Sequence, residues 1–503
     1  MSHSYAPVAP APDSQPTHLA TASPRRRRLA LSSRSWGALA AAAVILALFG
    51  SLHEPTRRHT TSAAKATLAG IWPAEEVDER TQLRGRYEKM LARVMLHPEQ
   101  PPESWKDQVV PGEQYLFSNF FGGQTNQLMI KLNALSAAKD LGAVALIPSF
   151  VALHFKGHSH RPIDRMYDMP RFYNLTGLRA VPLDRFKAHN LTAASVEPDR
   201  VTCWTYAAYS SPKAPYLPPP ARFLSEYGIS LDYSYPDPQT LSTPVGQPVR
   251  VEDIVAFLAN GTGQAGWIER NRVEQLPEAP SPAFDPASIP PRSPDEQVHC
   301  VDALYYLKSR WPSTWGDVGQ HLHFLPEVQT AAQEYLRVLL EVPEGQDIPP
   351  YISVHVRGTD FRTGHGSISS SSFVEQVAEV RKLVAKRLKD FESGVLTASS
   401  TWPAPRSFML TPEEYPVVFT SDEHPTSAFW HELEGHGWKG VDHIRFNTTE
   451  RFDPWYPSLI DGAVLSGAEG IVGTAASTYS AVSGERVKSW QGGVYVEAQL
   501  AKT

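Results

Sequence analysis

The sequence predicts an α/β protein: two Rossmann-like lobes facing a cleft, preceded by an N-terminal transmembrane helix and a stem. Three observations predict it. Between Gln114 and Pro148 the chain reads strand, glycine turn, helix, strand. From Tyr351 onward short apolar runs again alternate with helical patterns. A proline-marked break, Pro343–Pro350, separates the two stretches. Strands that alternate with helices imply parallel sheets, and two such halves imply two lobes.

The N-terminus comes first in the chain. Residues 1–24 are rich in Pro, Ala and Ser, a composition that does not build a core. Arg25–Arg28 and Arg34 precede Trp36–Leu52, which runs for 17 residues without a charge. That length is at the short end for a bilayer span. A cleaved signal peptide is the alternative, but the preceding region is long and no Ala-x-Ala site follows the apolar run. The basic cluster before the span argues for a cytoplasmic N-terminus, a bias that Arg57 and Arg58 weaken without reversing. The expected organisation is a cytoplasmic tail (1–35), a single-pass type II anchor (36–52) and a stem (53–110). A first Rossmann-like lobe with proline-rich insertions (111–345) and a second, ligand-binding lobe (346–503) follow. Sequons at Asn174, Asn190, Asn260 and Asn447 agree with a lumenal body. A short span suits the thin membranes of the early secretory pathway, which places the protein in the Golgi or endoplasmic reticulum membrane.

In the first half, the stem carries a helical pattern at Glu75–Leu96. Tyr115–Asn119 reads as a strand, Phe120–Thr125 as a glycine turn, Asn126–Leu141 as a helix with Leu128, Leu132 and Leu135 on one face, and Ala143–Ile147 as the next strand. Ser211–Pro220 and Leu276–Pro294 read as surface loops or an insertion. Glu327–Leu340 is a helix. In the second half, Ile352–Val356 is a buried strand. Ser372 with Glu375 forms a capping-box pattern opening a helix through about Leu388. Val417–Thr420 and Gly470–Gly473 are strands, Asp442–Phe446 is a weaker strand candidate, Tyr456–Ser466 is a helix, and Thr474–Ser480 turns into a last helix.

Polar residues cluster where these strands end: His355, Arg357 and Asp360; Ser421 and Asp422; Thr474, Ser477 and Thr478. Parallel sheets bind ligands at the carboxyl ends of their strands. An arginine there offers a rigid fork matched to phosphate, and hydroxyls at a helix N-terminus favour the same anion. Taken singly, each group has a plainer reading: Arg357 and Asp360 as an ion pair, Asp422 as a turn residue, Ser477 and Thr478 as a helix cap. The joint placement describes a nucleotide-sugar site. His431–His436 (HELEGH) does not form a zinc motif, because its histidines are five apart rather than four. Neither a Walker lysine loop nor a GxSxG elbow occurs, and a net charge of −6 gives no electrostatic case for nucleic acid. Cys203 and Cys300, the two cysteines, fit either one disulfide or two buried thiols.

Four segments, GGQTNQLMIKLNALSAAKDLGAVALIP at 122–148, HVRGTD at 355–360, FTSDE at 419–423 and GTAASTYS at 473–480, occur in an order that resembles the GDP-fucose-dependent O-fucosyltransferase superfamily, which includes the α1,6-fucosyltransferases. The resemblance implies a GT-B fold and metal-independent, inverting transfer of fucose from GDP-fucose, the donor substrate, to a protein or glycan acceptor, with no cofactor; transfer of another GDP-sugar, or a catalytically silent relative that binds nucleotide or glycan, is the alternative. It assigns Arg357 to the β-phosphate, His355 to the nucleotide pocket, Asp422 to the guanosine part, and Ser477 and Thr478 to the phosphates. Asn126, from the Gly122–Gly123 turn, would reach across toward the sugar, making Arg357 and Asn126 the catalytic pair, and Asp360 joins the donor-binding set. The chain departs from the pattern twice. Gly358 stands where many relatives carry a second arginine, and Phe120–Asn126 holds no acid where some carry a glutamate base.

Overall fold

Every strand pairing within the two main sheets is parallel, as the alternation of strands and helices predicts. The computed structural model describes residues 74–118, 120, 122–152, 160–189, 198–204, 221–234, 255, 258, 297–301, 311–359, 361, 366, 368–398 and 410–499. The predicted tail and membrane span, Asn190, Asn260, Asp360 and both proline-rich stretches lie outside them. Among the described residues no helix is long and apolar enough to cross a membrane. The chain divides into two compact units, Met1–Gln82 and Leu83–Thr503. Of the first, the described part is the opening of helix α1 (Ala74–Val94).

The first sheet has six strands: β1 (Tyr115–Ser118), β2 (Val144–Ile147), β5 (Ala180–Pro182), β6 (Asp199–Trp204), β7 (Ile229–Ser234) and β8 (Val298–Val301), in the order β5-β2-β1-β8-β6-β7. A separate antiparallel pair, β3 (Phe150–Val151) and β4 (His160–Arg161), follows β2. Between β1 and β2 runs helix α2 (Gln124–Leu141), two residues longer at its start than the sequence predicts. Cys203 and Cys300 are register partners on β6 and β8 and are joined by a disulfide. The sequence reading missed β5 to β8. Their apolar runs are short and separated by long polar and proline-rich segments, so no periodic pattern stands out.

The second sheet has five strands: β9 (Ile352–Val356), β10 (Val417–Ser421), β11 (Lys439–Gly440), β12 (Gly470–Thr474) and β13 (Val494–Ala498), in the order β11-β10-β9-β12-β13. Counted within this half, that is 3-2-1-4-5, the doubly wound order whose switch point lies between its first and fourth strands. Strand β9 is buried along its whole length although ISVHV alternates apolar and polar residues, because Ser353 and His355 are hydrogen-bonded to Leu465 O (3.0 Å) and Ser480 Oγ (2.7 Å). Helix α3 (Pro326–Leu339) precedes it, and helices α4 (Ser370–Glu392), α5 (Ala428–Gly435), α6 (Tyr456–Ser466) and α7 (Thr478–Gln491) connect the strands. One apolar core runs from the first sheet through α3 to Leu459, Ile460, Val464 and Val482 on α6 and α7. A second core fills the space under α4, with Phe373, Val377, Val380 and Val384 against β9.

Two local expectations fail for identifiable reasons. Asp442–Phe446 is a turn, not a strand. The Asp442 carboxylate accepts from the amides of Ile444 (2.9 Å) and Arg445 (3.0 Å), which bends the chain back on itself. The strand pairing with β10 is instead Lys439–Gly440. Helix α4 is capped by Ser369, whose hydroxyl accepts from the Ser372 amide (3.3 Å). Ser372 therefore lies inside the first turn, and the Ser372–Glu375 capping box does not form.

Candidate functional site

The switch point of the second sheet sits between β9 and β12, and the polar strand ends gather there. Register sets Ser421 of β10 level with Val356 of β9, so the next residues, Asp422 and Arg357, emerge side by side. Their side chains form an ion pair. The same carboxylate accepts from the Gly358 amide (2.6 Å) and from the Thr359 hydroxyl (2.5 Å). Arg357 pairs with Asp422, and its side chain remains 26 % exposed. Asp422, assigned to the nucleoside by resemblance, is engaged in holding the loop after β9 and its arginine.

On the other side of β9, Thr474 at the end of β12 ties the two strands together. Its hydroxyl donates to the His355 carbonyl (2.9 Å) and accepts from the Arg357 amide (3.0 Å). Ser480 Oγ accepts from the Thr474 amide (2.9 Å) and bonds His355 Nδ1 (2.7 Å). Burial pulls the His355 imidazole down to about 3, aided by Arg357 and opposed by Asp422, so the ring is neutral at physiological pH. Ser477 caps α7, its hydroxyl accepting from the Ser480 amide (3.3 Å). Ala476 just before it adopts φ +64, the left-handed turn that brings α7 onto β12.

The first sheet contributes its glycine turn, placed at the β1 edge of its own switch point between β1 and β8. Gly122 has φ +73, and a Cβ there would lie 2.6 Å from Asn126 Nδ2. Two constraints thus require glycine: the backbone conformation and the amide folded under it. Gly123 is the N-cap of α2 without a side-chain cap. Gln127, fully buried, pins the turn through Gly122 O (2.9 Å) and both backbone groups of Val151 (2.8 and 3.0 Å). Asn126 then meets the second half: Thr478 Oγ1 donates to its Oδ1 (2.9 Å). Gly122, Gly123, Asn126, His355, Arg357, Asp422, Ser477 and Thr478 are therefore brought to one place.

Several residues here escaped the sequence reading. Gln127 carried a signal, a second amide directly after Asn126. A Cβ at Gly358 would collide with the Glu423 carboxylate, so the space where a second arginine would begin is occupied by an acid. Asp461 on α6 bonds His443 Nε2 (2.9 Å), whose Nδ1 meets Thr448 and then Tyr335 (3.0 and 2.7 Å). Burial raises the Asp461 carboxyl, His443 opposes this, and Asp422 adds to it. Nothing in the spacing of these four residues along the chain announces that relay. Among the described residues no group of three His, Cys, Asp or Glu side chains could hold a metal ion. His431 and His436 are both exposed, and His431 faces Glu434 (3.2 Å).

No protein-family profile and no curated protein matches this chain. Solved structures similar to it include POFUT1 in complex with GDP-fucose, at 15% identity over 78% of this chain and 99% of that one, with a TM-score of 0.45. NodZ α1,6-fucosyltransferase co-crystallised with GDP follows at 12% identity over 74% and 91%, TM-score 0.33. A mutant of Arabidopsis thaliana FUT1 in complex with GDP matches at 11% identity over 84% and 77%, TM-score 0.35. Likeness of this degree carries no chemistry by itself, and the function is argued from the geometry of the site.

Proposed function

We propose that this protein is a GT-B glycosyltransferase that moves fucose from GDP-fucose to a protein or glycan hydroxyl, with inversion and without a metal. One observation carries the reading. The partly exposed Arg357, the N-terminus of α7 and the amide of Asn126 meet at the switch point of the second sheet, with Thr478 bonded to Asn126. That is an anion site with a polar group from the other half beside it. The segments that resemble the fucosyltransferase superfamily supply these same residues.

In the proposed reaction the diphosphate of the donor lies against Arg357 and the first turn of α7. The acceptor oxygen bonds to the sugar's anomeric carbon from the face opposite the phosphate. As the bond to phosphate breaks, negative charge grows on the departing GDP, and the fixed guanidinium stabilises it more in the transition state than before it. Asp422 acts as a positioning residue for Arg357. Neutral His355, tied to Ser480, presents a polar ring without adding charge to the nucleotide pocket. The acceptor proton leaves to base or solvent. The type II anchor through residues 36–52 and the lumenal, Golgi or endoplasmic reticulum placement belong to the same proposal, supported by the apolar run, the basic cluster before it and the sequons.

The test is released nucleotide. The full-length chain is incubated with GDP-fucose, GDP-mannose or a UDP-sugar in the presence of a glycoprotein acceptor mixture. GDP release and sugar transfer with GDP-fucose are expected. Transfer with GDP-mannose alone would reassign the sugar, and turnover with only the UDP-sugar would refute the guanine-nucleotide reading.

A further inference from the structure

The two sequons that fall among the described residues share a surface feature that their sequence does not announce. Asn174-Leu175-Thr176 forms the last turn of the short helix Met169–Thr176, and Asn447-Thr448-Thr449 opens the helix Thr448–Arg451. Both asparagines are exposed. Asn447 stands at φ +49 and makes no side-chain cap bond, so its amide is not spent on the helix that follows. The turn before it is closed by the Asn447 backbone amide, which donates to Ile444 O (3.0 Å). At the other sequon, the Thr176 hydroxyl donates to Phe172 O (2.8 Å) and accepts from the Leu178 amide (3.1 Å), and Gly177 ends the helix in the left-handed region. Each asparagine is therefore held at a defined place on the surface.

Beside each asparagine stands a large apolar side chain in water. Among the described residues six such side chains are largely exposed, and two of the six are Leu175 (47 %) and Ile444 (60 %). A single exposed apolar residue needs no explanation. Its recurrence next to both described sequons does. Leu175 directly follows Asn174, with the two Cα atoms about 3.8 Å apart. Ile444 precedes Asn447 across the closed turn. A sugar ring linked to either side-chain amide is wide enough to lie over that neighbour. Contact with the C–H face of the ring takes apolar surface out of water, which is favourable, while the sugar hydroxyls stay hydrated.

We propose that Asn174 and Asn447 carry N-linked glycans whose first sugars cover Leu175 and Ile444. The proposal rests on the lumenal placement of this part of the chain. The glycan comes from an oligosaccharide carried on a polyprenyl diphosphate, transferred by the host's lumenal machinery. The side-chain nitrogen bonds to the anomeric carbon of the first sugar and gives up one proton to base. The bond from that carbon to the diphosphate oxygen breaks, and the polyprenyl diphosphate departs with the bonding pair. The modification masks two apolar points on the surface and leaves the donor site at Arg357 untouched.

Expression of the full-length chain in a eukaryotic host, then enzymatic deglycosylation in heavy-oxygen water and peptide mass spectrometry, tests it. Deglycosylation turns each occupied asparagine into a labelled aspartate. Label at both Asn174 and Asn447 is expected, and Asn174→Gln and Asn447→Gln should each remove one glycan from the intact mass. The double variant lacking both glycans should bind more of an apolar-surface dye than the wild type. That rise should be lost when Leu175→Ser and Ile444→Ser are added. An unlabelled Asn174 or Asn447 in protein labelled at Asn190 or Asn260 would overturn the proposal and leave the lumenal placement standing. Label at none of these asparagines would overturn both. Label at Asn174 and Asn447 without a dye response in the double variant would overturn the covering of Leu175 and Ile444. None of these readouts depends on turnover of GDP-fucose, so failure of the donor reading is distinguished from failure here.

Discussion

The two parallel sheets share a doubly wound plan but end in different chemistry. At the switch point of the second sheet three adjacent strands end in His355 and Arg357, Asp422, and Thr474, and their side chains bond to one another across the strands. At the switch point of the first, β1 ends in a glycine turn, and the reactive groups nearby are amides, Asn126 and Gln127. The first sheet hides its charges instead. Asp199 takes Lys187 (2.6 Å), Ser104 (2.6 Å) and the Trp105 amide (2.9 Å) out of solvent. Lys131 is buried with no hydrogen-bond partner among the described residues, 4.4 Å from the ring centroids of both Phe120 and Phe150. The contrast teaches that the charged strand ends are concentrated in one half, while the other presents a glycine turn and amides.

If that division is right, breaking the first sheet's stitching should harm stability and spare binding. The double substitution Cys203→Ala, Cys300→Ala removes a link spanning 97 residues and should cost about 2–5 kcal/mol in denaturant unfolding. GDP affinity measured below the new midpoint should be unchanged. The reverse holds for the second sheet. Arg357→Ala should slow transfer on the order of 10²–10³-fold with circular dichroism and melting little altered.

Lys131 sharpens the comparison further. Burial pulls its ammonium down to about 7. Lys131→Met should therefore stabilise the protein, on the order of 1–4 kcal/mol near neutral pH, the range seen when buried charge is replaced by apolar volume. The unfolded lysine holds its proton up to about 10.5. The native state thus binds fewer protons between the two values, and wild-type stability rises with pH across that window. The gap between wild type and variant should accordingly narrow from pH 7 to pH 10.5.

The last expected effect is confined to acid pH and comes from the histidines. His355 and His323 are each pulled to about 3 by burial, against 6.5 when exposed. Between those values the unfolded state binds more protons. Stability is therefore full above pH 6.5 and falls as pH drops toward 3, by about 1.4 kcal/mol per pH unit for each histidine. Urea midpoints in an acid series check the slope, and His323→Gln should remove its share of it.

Much of this was legible in the sequence, and the exceptions share a cause. Ile352–Val356 and Tyr456–Ser466 match their predicted bounds because local pattern and tertiary environment agree there. The turn at Asp442–Phe446 was misread because its apolar residues alternate like a strand while a single aspartate side chain decides the backbone. Strand β8 was missed because its place beside β1 depends on pairing across about 180 residues, which periodicity does not report. In the site, the strand-end residues could be named, but the pairing of Arg357 with Asp422 follows from the β9–β10 register. Arg486 was invisible for a related reason. It reads as an ordinary charge on a C-terminal helix until Tyr167 and Phe324, more than 150 residues earlier, close around it.

The central claim is that the second sheet's switch point recognises a guanine nucleotide sugar through Arg357. Calorimetric titration of the full-length chain with GDP-fucose, GDP and UDP measures this directly. The account predicts saturable binding of both guanine ligands, little or none of UDP, and loss of the GDP signal in Arg357→Ala. Absence of binding to GDP and GDP-fucose by the wild-type protein, or undiminished GDP affinity in Arg357→Ala, would contradict it.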